Sequence, residues 1–344
     1  LYLPYQIASV EGVMDGLYLL WWVQEKQMSP ALVAATMAAG DLLLMGLEVP
    51  TGWFADKFGN RRSLILGSFI QVAGMICCWL ADGVPGLVLA CLLVSVGDAF
   101  RSGADQALLY RSCVELNRED EFQKIEARSR AVHVIALAVL IVAGGAIVST
   151  WGFAAGWIAE TLLCTAGGLI AYAMVEPPEH ADAEEESSTP TGIRIPWKLA
   201  AAVILPLASL DAITQAGSFI MQTNGAGGPS EVTLIVALIT LADAAGSTLA
   251  MRLPAVGLRA QMALAAVGSI VAGIALTIPS ALVPATIALS FATGVSHPLR
   301  ATEIQRLASD GMRARAASVA NACDMALSTL LLLVTGSWLH RKKG

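Results

Sequence analysis

Eleven carboxylates fall inside long apolar runs of this sequence: Glu11, Asp15, Asp41, Glu48, Asp98, Asp105, Glu160, Asp211, Asp243, Glu303 and Asp324. Mid-span bases number two, Arg101 and Arg300, with His133 and His297 as further titratable groups. Glu11 and Asp15 stand four apart, which predicts a shared helix face. Asp98, Arg101 and Asp105 are spaced three and four, which predicts one stripe able to hold an ion pair and still offer a carboxylate. Buried carboxyls without a base take up protons more readily than exposed ones. The chemistry these residues suggest is therefore proton uptake and release. Asp15, Asp98, Asp211 and Asp324 are the preferred carriers, although each alone is also readable as a hydrogen-bonded packing residue. Gln215 follows Asp211 by one turn. Arg101 and Arg300 either hold an anionic group or neutralise Asp98 and Glu303; both readings stay open. His297 precedes Pro298, which removes a backbone donor and can bend a helix beside a titratable ring.

The elements that must carry these groups follow from composition. The chain has 344 residues, 56% apolar and 14% charged, with a mean hydropathy of +0.66. That is about half the usual charged fraction of soluble domains. Such a chain cannot coat a globular surface with charge, and its apolar content excludes disorder. Six scattered cysteines do not make a disulfide scaffold, and the adjacent pair Cys77-Cys78 lacks metal-ligand spacing. A net charge of −6 disfavours nucleic acid as a partner. No phosphate-binding loop and no nucleophile–base constellation is present, so no enzyme, cofactor or metal is expected. What remains is an all-α polytopic membrane protein.

A span needs about 20 mostly apolar residues. Eleven are read, at 3–23, 30–54, 62–81, 85–110, 128–149, 153–175, 197–222, 231–251, 258–278, 281–307 and 313–339. Fifteen Lys and Arg lie in alternate loops on one side, and the opposite loops before the last span carry only Lys26. The positive-inside bias then starts the first span in the cytoplasm. An odd count leaves the basic tail on the wrong side. A chain whose twelfth span is absent is the simplest expectation, and a genuine eleven-span protein is the alternative. The acidic stretch 176–196 reads as a solvated cytoplasmic linker between a first bundle, 1–175, and a second, 197–344. An offset near 199 aligns Asp98 with His297, Arg101 with Arg300 and Gln106 with Gln305, a loose internal repeat.

The sharpest motif follows the second span: Gly52-Trp53-Phe54-Ala55-Asp56-Lys57-Phe58-Gly59-Asn60-Arg61-Arg62. It resembles the loop 2–3 signature of the major facilitator superfamily, G-x-x-x-D-[KR]-x-G-x-[KR]-[KR], with every anchor position matched. Asp98-Ala99-Phe100-Arg101-Ser102-Gly103 is similar to bacterial members as well. Gly52 is expected to let helices approach closely. Gly59 is expected to permit a tight turn. Asp56 would accept from bases or a helix N-terminus, and Arg61 and Arg62 would anchor and pair; Lys57 belongs to the same motif. The second-half counterpart, residues 251–259, keeps the glycine and bases but no acid. The antiporter signature G-x-x-x-G-P-x-x-G-G is missing from the fifth span, which reads Ala143-Gly144-Gly145-Ala146 without proline.

The resemblance implies two pseudo-symmetric six-helix bundles, a loop 2–3 latch, and a central cavity lined by spans 1, 4, 7 and 10. On those spans lie Glu11, Asp15, Asp98, Arg101, Asp105, Asp211, Gln215, His297, Arg300 and Glu303. The implied function is secondary active transport of a small organic solute by alternating access, proton-coupled, with export slightly favoured. Coupling to Na⁺ or another cation, an uptake symporter, and a non-transporting membrane sensor or assembly protein are the alternatives. A monomer in the cell inner membrane is expected.

Overall fold

The computed structural model describes residues 1–118, 121–177, 205–224, 228–250, parts of 263–274, 278–307 and 326–337. Every regular element among them is helical. Lipid explains that: with no water to satisfy the backbone, each span must close its own hydrogen bonds. Among the described residues, six helices are long and apolar enough to cross a membrane, and Val49 (81%), Trp151 (70%) and Leu162 (64%) expose apolar side chains from three of them. The all-α polytopic reading holds.

Two compact units form. The first comprises Leu1–Asp15 and Ala39–Thr191, and the second Gly16–Ala38 and Gly192–Gly344. In the first unit, α1 (Tyr2–Ala8) and α2 (Gly12–Asp15) are short. The long α4 (Pro30–Phe58) enters it at Ala39, and α5 (Asn60–Leu80), α6 (Gly83–Arg101), α7 (Ala104–Glu115), α8 (Phe122–Trp151) and α9 (Phe153–Ala173) complete it. Helix α5 packs along α6 and α9, while α8 and α9 both pack on α1 and α2. Tyr5, Leu64, Ala104, Leu108, Ala171 and Met174 form one buried cluster.

The second unit holds α3 (Tyr18–Leu20), a π-helical turn at Trp21–Glu25, α10 (Leu205–Asn224), α11 (Pro229–Ala250), α12 (Leu282–Leu307) and α13 (Ala326–Ser337). Small polar residues tie its helices, as is usual where no hydrophobic force distinguishes helix from lipid. Thr214 of α10 and Thr293 of α12 share a hydrogen bond of 3.0 Å. Ser290 of α12 donates to the Ile239 carbonyl of α11 at 2.8 Å. Helix α12 runs through Pro298 without ending.

Two expected spans are not continuous helices. The span expected at 3–23 is broken into α1, α2, α3 and the π-helical turn. The span expected at 85–110 is interrupted at Ser102-Gly103, between α6 and α7. Hydropathy averages over a window and does not register either break, although a Gly/Ser pair is a common place for a helix to bend.

Candidate functional site

The break between α1 and α2 frees backbone groups among residues 9–14, most of which are buried, so they need partners from other helices. Arg101 supplies one. It closes α6, where its Nη2 donates to the Ser9 carbonyl at 2.6 Å. Its Nη1 donates to Glu11 Oε1 at 2.8 Å and lies 3.6 Å from Asp98 Oδ1. One guanidinium thus serves two carboxylates and a carbonyl. The three side chains are only 16%, 27% and 38% exposed for Arg101, Glu11 and Asp98.

Glu160 supplies the other partner. Its Oε2 accepts from the Met14 N–H at 2.7 Å, at the start of α2. The side chain is fully buried, and Cys164 Sγ lies 3.9 Å from its Oε1. Sequence spacing places Glu160 among the in-span acids without singling it out. The signal available was its isolation: it is the sole charged residue in the 21 residues of α9.

The room for this break comes from small residues. A Cβ placed on Gly144 of α8 would lie 1.9 Å from the Val13 carbonyl oxygen. The residues Gly144-Gly145, which do not fit the antiporter signature, thus have a local role: α2 rests its backbone directly on α8.

Three expectations are corrected. Glu11 and Asp15 do not share a helix face, because Glu11 lies in the break and only Asp15 belongs to α2, where it is exposed at the end. Asp98, Arg101 and Asp105 do not form one stripe, because α6 ends between them. Asp105 instead lies in the first turn of α7 and accepts from Gln6 Nε2 at 2.8 Å and Tyr2 Oη at 3.4 Å. Gly52 is exposed in α4, and a Cβ there would meet nothing within 4 Å, so close helix approach is not its role in this conformation.

The loop 2–3 motif is almost entirely helical. Helix α4 runs to Phe58, Gly59 alone makes the turn at φ +97°, and α5 starts at Asn60. That φ suits glycine, as expected. Glu176, placed by sequence in the linker, is half-buried here and caps α5. Its two oxygens accept the N–H groups of Asn60, at 3.0 Å, and Arg61. The Arg61 guanidinium donates to the Tyr172 carbonyl and sits 5.3 Å from the Tyr172 ring centre. Lys57 Nζ lies 4.8 Å from the Trp53 ring centre. Asp56 and Arg62 are exposed.

In the second unit, Gln215 is exposed on α10, and Asp211 lies one turn before it on the same helix. His297, Arg300 and Glu303 all lie on α12. Asp324 lies outside the described residues.

A multi-pass helical membrane protein, with a charged cluster stitched into a broken first span, is the class this architecture defines. The sequence profile described as Major Facilitator Superfamily matches residues 10–332, and the chain belongs to that superfamily. Among solved structures, it superposes on a bacterial homologue of the human lysosomal transporter Spinster, in an inward-facing and occupied conformation. The TM-score is 0.72 and the identity 16%, over 98% of this chain and 80% of that one. A D-xylose–proton symporter gives a TM-score of 0.66 at 14% identity, over 98% and 87% of the two chains. Over 136 residues the chain is 31% identical to the lincomycin resistance protein of Streptomyces lincolnensis, a stretch covering 40% of this chain and 26% of that protein. The chain thus matches about a quarter of that relative's length.

Proposed function

We propose that this protein is a proton-coupled exporter of a small organic solute, working by alternating access. The observation that carries the reading is the convergence of Glu11 and Asp98 on Arg101, 2.8 and 3.6 Å away, at a break in a membrane span. Two carboxyl groups facing one guanidinium leave a net negative charge that a single proton neutralises. Adding or removing that proton changes what holds the Ser9–Glu11 break, and so changes the relative stability of two arrangements of the first span. Asp15 and Glu160 are further carboxyls at the same break. Asp211, His297, Arg300, Glu303 and Asp324 are the proposed second-half contributors. The segment around Gly52, Asp56, Lys57, Gly59, Arg61 and Arg62 serves as the conformational latch. Export is favoured by the similarity to a lincomycin resistance protein.

The test is flux in proteoliposomes with an internal pH dye and lincomycin as the first compound. An imposed pH gradient should drive accumulation by the unmodified protein. Glu11→Gln and Asp98→Asn should abolish gradient-driven accumulation while keeping exchange of substrate across the membrane. If neutralising Glu11, Asp15, Asp98 and Glu160 one at a time never abolishes it, the coupling proposal is wrong. Accumulation that needs Na⁺ at fixed pH would replace the proton by sodium.

A further inference from the structure

Away from the first-span break, four bases converge on one hollow. Lys57, Arg61, Arg62 and Arg111 line a cavity of about 320 Å³ together with Phe58 and Glu176. Glu176 is its single acid, and both its oxygens already accept backbone N–H groups at the start of α5. Arg61 is fixed by its carbonyl and ring contacts with Tyr172, and its Nε is buried with no hydrogen-bond partner among the described residues. Arg62 and Arg111 form no ion pair among the described residues. Among the described residues, the hollow therefore carries a positive excess.

Its surroundings indicate where the compensating anion comes from. Trp53 (59% exposed) and Tyr172 (65%) flank the basic side chains, and Phe58 of the lining is itself 40% exposed. Exposed Trp and Tyr beside bases at the ends of spans are characteristic of headgroup depth, where an aromatic ring sits half in lipid and half in water. A soluble anion would need no such rim.

We propose that this hollow binds the phosphodiester headgroup of an anionic phospholipid. Basic pockets at the ends of membrane helices attract such headgroups electrostatically. Arginine adds geometry to charge, because its planar fork can give two parallel hydrogen bonds to one phosphate. Arg62 and Arg111 are the ligating pair. Arg61 is held by Tyr172 and adds its charge to the hollow, while Lys57 adds charge from above the Trp53 ring. The assignment does not depend on proton coupling or on the identity of any transported solute.

The test is competition for retained lipid. The full chain, purified in detergent, is given equal amounts of phosphatidylglycerol and phosphatidylcholine with the same acyl chains, and native mass spectrometry counts what stays bound. Phosphatidylglycerol should be retained roughly tenfold over phosphatidylcholine. Arg62→Gln/Arg111→Gln should remove most of that preference and leave phosphatidylcholine retention unchanged, since Arg61 and Glu176 still organise the loop. If the double variant does not fold, Arg111→Gln alone is read the same way, with roughly a threefold loss expected. Equal retention of the two lipids, or a preference untouched by the substitutions, overturns the proposal. A third arm adds inorganic phosphate: displacement of phosphatidylglycerol at millimolar phosphate would make this a site for a soluble anion and overturn the lipid assignment.

Discussion

Arg101 is the residue on which the first unit's charges depend. It satisfies Glu11, Asp98 and the Ser9 carbonyl at once. Removing one partner of a largely buried pair costs more than removing both, because an uncompensated charge is left behind. Arg101→Leu is therefore expected to lower stability by about 3 kcal/mol, near the lower bound for such pairs because Glu11 is partly exposed. Glu11→Leu/Arg101→Leu should recover part of that loss. Thermal unfolding in detergent measures both, and a double variant no more stable than Arg101→Leu would show that the pair is not the operative contact. Glu160 differs in kind. It meets a backbone N–H rather than a base, and it is wholly buried. Substituting glutamine keeps an acceptor for Met14 and removes the ionisable group, so Glu160→Gln separates helix capping from proton handling.

At the scale of elements, the first unit rests on backbone-to-backbone contact between α2 and α8. Gly144→Ala would place a Cβ 1.9 Å from the Val13 carbonyl oxygen, which requires one helix to move. The expected loss is about 1–3 kcal/mol, as for other overpacked cores. Gly52→Ala is the matched control. It lies in α4 with nothing within 4 Å of a new Cβ, and should be neutral or stabilising by about 0.5–1 kcal/mol from helix propensity. Melting temperatures of the two variants test this, and a fall for Gly52→Ala would place a packing role on that residue after all. The elements themselves were largely legible. The second span, expected at 30–54, is α4 at Pro30–Phe58, and that expected at 153–175 is α9 at Phe153–Ala173. Their apolar runs are continuous, and lipid leaves a continuous apolar run little choice but a helix. The breaks were not legible. What holds Glu11 outside a helix is a guanidinium 90 residues away, and what caps the following α2 is a carboxylate 146 residues away; neither leaves a local mark. For the same reason, spacing paired Asp98 with Asp105 on one stripe, whereas the chain turns at Ser102-Gly103 and sends Asp105 to Gln6.

For the whole molecule, composition and the positions of the charged loops carried the class, and the loop 2–3 motif carried the family. The role of Glu176 was hidden, because a glutamate opening an acidic stretch reads as solvent-exposed until α5 is seen starting against it. The broken first span has a further consequence for how the protein is made. Its N-terminal segment leaves the ribosome well before the residues that complete it: Arg101 arrives 90 positions after Glu11, and Glu160 arrives 146 after Met14. Until then, the segment carries open peptide groups and unneutralised acids that a bilayer disfavours. It should therefore linger beside the insertion machinery rather than settle in lipid on its own. Ribosome-bound chains stalled after Trp151 should crosslink to the translocase through the first 15 residues, and chains stalled well beyond Ala173 should not. Equal crosslinking at both lengths would mean that biogenesis does not wait for α9.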